Sequence, residues 1–120
     1  MAQEVLEDIS HFRLDVNGTN VNFSVIFNNN YRSEGSGTGV AGMQNLELTQ
    51  GIVNLKDWDQ VLDRKLTFVL RSKQAGSMIE ILYMFTDEST GEETNIAVLQ
   101  ATYNGTVVFN ATGTSSFMEA

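Results

Sequence analysis

The chain has no cysteine and no proline among its 120 residues. Without cysteine, neither a disulfide framework nor a thiolate metal site can form. Without proline, every turn falls to Gly, Asn, Asp and Ser, and no slow X–Pro isomerisation enters folding. A single histidine, His11, cannot assemble a His-rich zinc site, and no serine sits in a nucleophile-elbow context. Basic residues are scarce. Seven Lys and Arg face fifteen Asp and Glu, for a formal charge of −8 and a pI near 4.4. That balance argues against binding nucleic-acid phosphates or inserting among anionic lipids. No window approaches the roughly 20 apolar residues of a membrane helix. Residues 1–9 carry Glu4, Glu7 and Asp8 but no base, so they do not read as a secretory signal. A cytoplasmic location is the resulting expectation. The four Asn-x-Ser/Thr sequons, at Asn17, Asn22, Asn104 and Asn110, then read as turn and strand residues.

What the chain does have is β pattern. Hydrophobic residues make up 42% of it, enough for a core and too many for a disordered chain. Its length fits one β domain spanning 1–120, with 1–9 as a short helix or frayed and 113–120 as a loose tail. Asn-Gly occurs twice in the same setting, in Val16-Asn17-Gly18-Thr19 before Val21-Asn22-Phe23, and in Tyr103-Asn104-Gly105-Thr106 before Val107-Val108-Phe109. Both predict a type I′ hairpin, because Asn and Gly tolerate the positive φ angles that the turn requires.

Strict alternation over Asn20–Asn28 puts Val21, Phe23, Val25 and Phe27 on one face. His11–Val16 reads as the strand before it, with Phe12, Leu14 and Val16 inward. Val5, Leu6 and Ile9 fit one face of a short helix. Residues 28–36 read as a polar loop, and 37–43 as glycine-dense extended chain. Residues 45–55 form one strand or two broken at Gly51. Leu55, Trp58 and Leu62 fall at helical spacing and predict a helical segment near 56–63. Residues 64–71 return to strand, 87–94 form a hydrophilic loop around Gly91, and 95–103 with 106–112 form a last hairpin. The fold class is therefore all-β and mainly antiparallel, a small barrel or sandwich of about seven to nine strands. The succession of glycine-dense strands resembles small calycin-like barrels in general, without a lipocalin or avidin signature motif.

Few residues suggest chemistry. Gly37-Thr38-Gly39-Val40-Ala41-Gly42 spells G-x-G-x-x-G, yet no core strand precedes it and no helix follows, so it reads as glycine-rich strand or loop. Asp87, Glu88, Glu92 and Glu93 share one loop but lack EF-hand spacing, and read as a solvated tip. Asp57-Trp58-Asp59 suits either a sugar platform or a helix cap with Trp58 inward; the cap reading is the simpler. The most informative segment is Met78–Thr86, which is apolar on both faces. Met78, Leu82 and Met84 line one side, with Glu80 among them and therefore expected to be paired or at an edge. Ile79, Ile81, Tyr83 and Phe85 line the other. A strand apolar on both sides is covered on both sides. The candidate binding residues are thus Trp58, Met78, Tyr83, Met84 and Phe85, with no catalytic set, no metal site and no cofactor. The leading expectation is a non-enzymatic β-domain acting in protein interaction or self-assembly. The alternatives are a barrel carrying a small apolar ligand, and a carbohydrate-binding module using Trp58.

Overall fold

Alternation of apolar and polar residues along this chain turns one face of each strand inward, and a computed structural model shows how those faces close on one another. It describes residues 5–28, 30–73, 77–105 and 107–120. The elements are β1 (Val5–Asn17), β2 (Asn20–Phe27), β3 (Tyr31–Gly39), β4 (Leu46–Leu48), β5 (Ile52–Leu55), α1 (Trp58–Val61), β6 (Leu66–Lys73), β7 (Met78–Thr86), β8 (Glu93–Thr102) and β9 (Asn110–Glu119). All pairings between these strands are antiparallel. The order β2-β3-β9-β6-β7-β8-β5-β1 closes through a β1–β2 pairing into an eight-stranded barrel, and β4 adds a ninth strand on β1.

β4 and β5 run along the same edge of β1, opposite Phe12–Leu14 and Val5–Asp8 respectively, so they act as one strand kinked at residues 49–51. With that simplification the barrel is two Greek keys in series. β1, β2 and β3 form a meander, and β4/β5 returns beside β1. β6, β7 and β8 form a second meander, and β9 returns beside β6. The likeness to calycin-like barrels therefore stops at strand count.

Several expectations need correction on this topology. Val5–Ile9 is the start of β1 rather than a helix, because Val5 and Ile9 also share a face at strand spacing and β5 supplies a backbone partner. A register shift between Ile9 and His11 then restores Phe12, Leu14 and Val16 to the inner side. Residues 31–36 are strand, not loop, and 113–119 are not a loose tail but most of β9, paired with β3 throughout and with β6 as far as Ser115. The second Asn-Gly does not make a hairpin. It lies in the crossover from β8 to β9, which pair with different neighbours. At the first, the turn residues are Gly18 and Thr19, with Asn17 paired to Asn20; Gly18 takes φ 64° while Thr19 stays at negative φ, as a type II′ turn requires. The expected break at Gly51 and the helical segment near 56–63 are both present.

The β3–β9 seam joins the two Greek keys. Gly37 lies directly opposite Gly113, and a Cβ on either would collide with the backbone of the other strand. Two residues along, the Phe23 ring lies over Gly35, occupying the space that a side chain there would need. Glycine-dense β3 is thus a strand because its partners come close enough to require glycine.

The barrel interior is filled by side chains. Phe23 is the hub, with Phe68 edge-on at 4.9 Å, Phe12 stacked at 6.2 Å and Tyr83 at 6.3 Å. Phe117 continues the cluster, 4.7 Å from Tyr83 and 5.8 Å from Phe27. Replacing Phe23 by alanine should cost about 3–5 kcal/mol in a urea unfolding series, since it leaves a cavity and uncovers Gly35. A loss below about 1 kcal/mol would remove Phe23 from the core.

Candidate functional site

In β7, successive side chains point to opposite sides of the barrel wall. Ile79, Ile81 and Tyr83 point inward and are fully buried. Met78, Glu80, Leu82 and Met84 point outward. The expected division of the two faces holds through Tyr83, after which a register shift lets Ile96 bulge into the core. Phe85 sits at the end of the barrel with the Arg64 guanidinium 4.8 Å above its ring.

Cross-strand register lays the outward residues of β6, β7 and β8 in rows. The middle row is Val69, Leu82 and Val98; across Asn54 it reaches Leu6, which is 68% exposed. Beside it on one side lie Thr67, Met84 and Asn95. On the other lie Arg71, Glu80 and Gln100, followed by Ile52, which is 49% exposed. The end rows carry Lys73, Met78 and Thr102 at one extreme, and Thr86 with Glu93 at the other. Apolar side chains thus occupy the centre of an outer face, and the row beside them that holds Arg71 and Glu80 ends, beyond Ile52, at the exposed Asp8.

Glu80 is the exception within that face, a carboxylate with 5% side-chain exposure on the outside of the barrel. It is fully engaged. Arg71 donates through Nε at 3.0 Å and Nη2 at 2.7 Å to Oε1, while Lys73 Nζ at 3.1 Å and Gln100 Nε2 at 3.2 Å donate to Oε2. Burial alone would raise its pKa, but the hydrogen bonds from Arg71, Lys73 and Gln100 and the Lys73 charge outweigh that and hold it below the ordinary carboxylate value. The sequence expectation that Glu80 is paired is met.

The five candidate binding residues do not converge. Tyr83 is a core residue whose buried hydroxyl makes no hydrogen bond, and Ser33 Oγ near it donates to the Ser116 carbonyl at 3.0 Å. Burial pushes the Tyr83 phenol far above its usual value, with only a partial offset from Ser33, so it stays neutral. Met78 and Met84 are on the outer face, and Phe85 is at the rim. Trp58 belongs to α1, where Asp57 caps the helix by accepting from the Asp59 amide at 3.1 Å. Its indole packs against Tyr31 at 4.3 Å, Phe27 at 5.4 Å and Phe117 at 6.0 Å. With these rings around it, Trp58 is a lid on the core rather than an open stacking platform. Trp58 and Tyr83 meet only through Phe117.

Two concavities lie on the outer surface. One, about 870 Å³, crosses β2, β3 and β9 and is lined by Asn22, Ser24, Glu34, Ser36, Thr114 and Arg64 among others. The other, about 760 Å³, is a notch at the β4/β5 kink, with Gly51 in its lining and Ile52, Met78, Gln100 and Thr102 around it. Sequence reasoning missed both, because each depends on pairings between distant strands. The acidic turn is self-contained: Asp87 Oδ1 accepts from Ser89 N at 2.9 Å and Ser89 Oγ at 2.6 Å. These bonds lower the Asp87 pKa. Among the described residues no group of three or more His, Asp or Glu side chains is placed to hold a metal ion. No helix among them is long and apolar enough to cross a membrane.

No protein-family model matches the chain, and no curated protein matches it in sequence. Solved structures do match in shape. The virulence-associated protein VapB of the intracellular pathogen Rhodococcus equi superposes with a TM-score of 0.75 at 18% identity, covering 98% of this chain and 100% of VapB. VapD of the same organism gives 0.71 at 17% identity, covering 96% and 98%. The chain shares their fold. At such identities the likeness extends to the β-barrel and not to any residue's role.

The Glu80 cluster gives a pH signature. Because its folded pKa is lowered, its contribution to stability is present above the unfolded-state value and is lost as pH falls through the folded-state value. Glu80→Gln should therefore cost about 1–3 kcal/mol at neutral pH. In urea midpoints measured stepwise into acid, that gap should close below the ordinary carboxylate range. A gap independent of pH would mean that the charge of Glu80 contributes nothing.

Proposed function

We propose that this chain is a non-enzymatic β-domain that works by protein contact, with the outer face of β6, β7 and β8 as its contact surface. The observation that carries the reading is the row Val69–Leu82–Val98, flanked by Met84 and extended by Ile52 and Leu6. These side chains lie on the water side of a wall whose other side is already packed. Contiguous apolar surface of that kind on a soluble domain marks interaction sites.

The carrier alternative loses Tyr83 and the inward residues beside it, while Met78 and Met84 lie on the outer face and Phe85 at the rim. Tyr83, Ile79 and Ile81 are occupied in packing one another and the rings of Phe23, Phe68 and Phe117. The lectin alternative loses Trp58 in the same way, to Tyr31, Phe27 and Phe117. Two virulence-associated proteins share the fold, and that likeness supports a barrel scaffold without supplying a partner.

A photo-crosslinking amino acid at Leu82, compared with one at Ser24 on the outer face of β2, tests the reading in extracts of the source cell. Discrete protein adducts from position 82 and none from position 24 are expected. Equal yields at the two positions, or a small molecule rather than a protein at position 82, would overturn it.

A further inference from the structure

We propose that the notch at the β4/β5 kink binds a small organic cation, a primary ammonium carried on a short apolar chain. Such a site is independent of the protein contact proposed above, although Ile52 borders both.

The notch is a break in the strand ladder. β5 begins at Ile52, opposite Gln100, whereas β8 runs on beside β7 to Thr102. β4 rejoins β1 at Leu48, opposite Phe12, and β5 leaves it at Asp8. Between these points the kinked chain returns to β1 through the Ile9 amide, which donates to the Gly51 carbonyl at 3.0 Å. The resulting concavity of about 760 Å³ falls within the roughly 300–1,000 Å³ of small-molecule sites.

Its lining sets the class of ligand. Ile9, Ile52, Met78 and Ala101 supply apolar surface, and Ile52 is half exposed and free to cover a short chain. The polar groups are turned toward accepting. Gln100 commits its Nε2 to Glu80, which leaves its carbonyl oxygen as the acceptor. Ser10 Oγ gives its proton to the Ile26 carbonyl. Asp8 is the one carboxylate in the lining, and no Lys, Arg or His joins it there.

The contrast within one row is decisive. Arg71, Glu80, Gln100, Ile52 and Asp8 follow one another across β6, β7, β8, β5 and β1. Glu80 is neutralised by Arg71 and Lys73, whereas Asp8 is exposed and makes no ion pair among the described residues. Those two cations belong to β6, four strands from β1 and about 19 Å round the wall. That exceeds the Debye length of about 8 Å. Lys56 lies four residues beyond Ile52, about 13 Å along the chain, and Glu7 precedes Asp8. The field at Asp8 is therefore its own, reinforced by Glu7. An anion seated here would oppose it, and a neutral ligand would cover it without a partner. A cationic head beside Asp8 with its chain laid over Ile52 toward Met78 satisfies both halves of the lining.

The test is a titration of the purified full chain at neutral pH with butyl-, pentyl- and hexylammonium chloride, followed by backbone amide NMR. Hexanoate and hexanol are the controls, and the ligand-free spectrum of each variant confirms that it folds. Saturable shifts at Ile9, Ser10, Ile52 and Ala101 are expected. Affinity should rise about two- to threefold per methylene, short of the roughly fourfold of complete burial. Asp8→Asn should weaken hexylammonium binding about threefold without altering hexanol. Ile52→Thr should flatten the dependence on chain length while keeping the preference for ammonium. Hexanoate binding as tightly as hexylammonium, or hexylammonium indifferent to Asp8→Asn, would overturn the cationic ligand. Shifts that do not saturate, or that fall outside the notch, would overturn the site itself. Neither result bears on crosslinking at Leu82, so the two proposals fail separately.

Discussion

Closure of the barrel depends on two strands that come close enough to exclude side chains between them. Each Greek key, taken alone, is a four-stranded sheet with two open edges, and open edges recruit other chains. One pair of edges is sealed by β3 and β9 over nine residue pairs, the other by β5 and β8 over only four. The longer seam is the glycine-rich one, and its narrowest point is Gly37 against Gly113. Because a Cβ on either would meet backbone rather than a movable side chain, the seam cannot yield by rotamer adjustment. The rest of the wall, including the position of β6 beside β9 and hence of β7 beside β6, follows from it.

Glycine in a wall removes core volume as well as permitting close approach, and the missing volume is supplied from across the strand. Phe23 lies over Gly35, and Met43 reaches the space beside Gly39. Large side chains therefore cluster opposite the small-residue strands, and Phe23, Phe68, Tyr83 and Phe117 form a chain of ring contacts through the middle of the barrel. That cluster explains why Tyr83, with its polar handle, can be inside at all: its ring is needed to span from Phe23 to Phe117, and its hydroxyl stays protonated against the cost of burial.

Local signals in the sequence were legible where the partner is local. Val21–Phe27 announced its own strand and its inner face, Gly18 its own turn, and Leu55, Trp58 and Leu62 their helical turn. The second Asn-Gly theme shows the limit. Asn104-Gly105 has the same composition as Asn17-Gly18, but β9 is claimed by β3 and β6, and distant pairing outweighs a turn preference. Residues 113–119 looked like a tail because Gly, Ser and Thr carry little hydrophobic signal; their structure comes from partners eighty residues away in sequence, such as Ser33 opposite Phe117. Of the candidate binding residues, the alternation of β7 correctly separated Met78 and Met84 from Tyr83, yet it could not say which side was interior. That assignment depends on closure, which no single strand encodes.

β7 then presents a physical question that the barrel answers on one side only. Inward, Ile79, Ile81 and Tyr83 are held by the core, so their apolar character needs no further explanation. Outward, the chain has placed Leu82 and Met84 beside a carboxylate tied by four hydrogen bonds from three side chains. A solvated surface strand has no need to neutralise an acid so completely, because water would do so at lower cost in side-chain entropy. An acid destined to lie under another surface does, since an unpaired charge beneath a partner would oppose association. Apolar residues in the middle with a neutralised acid beside them are what the proposed contact surface requires of its centre.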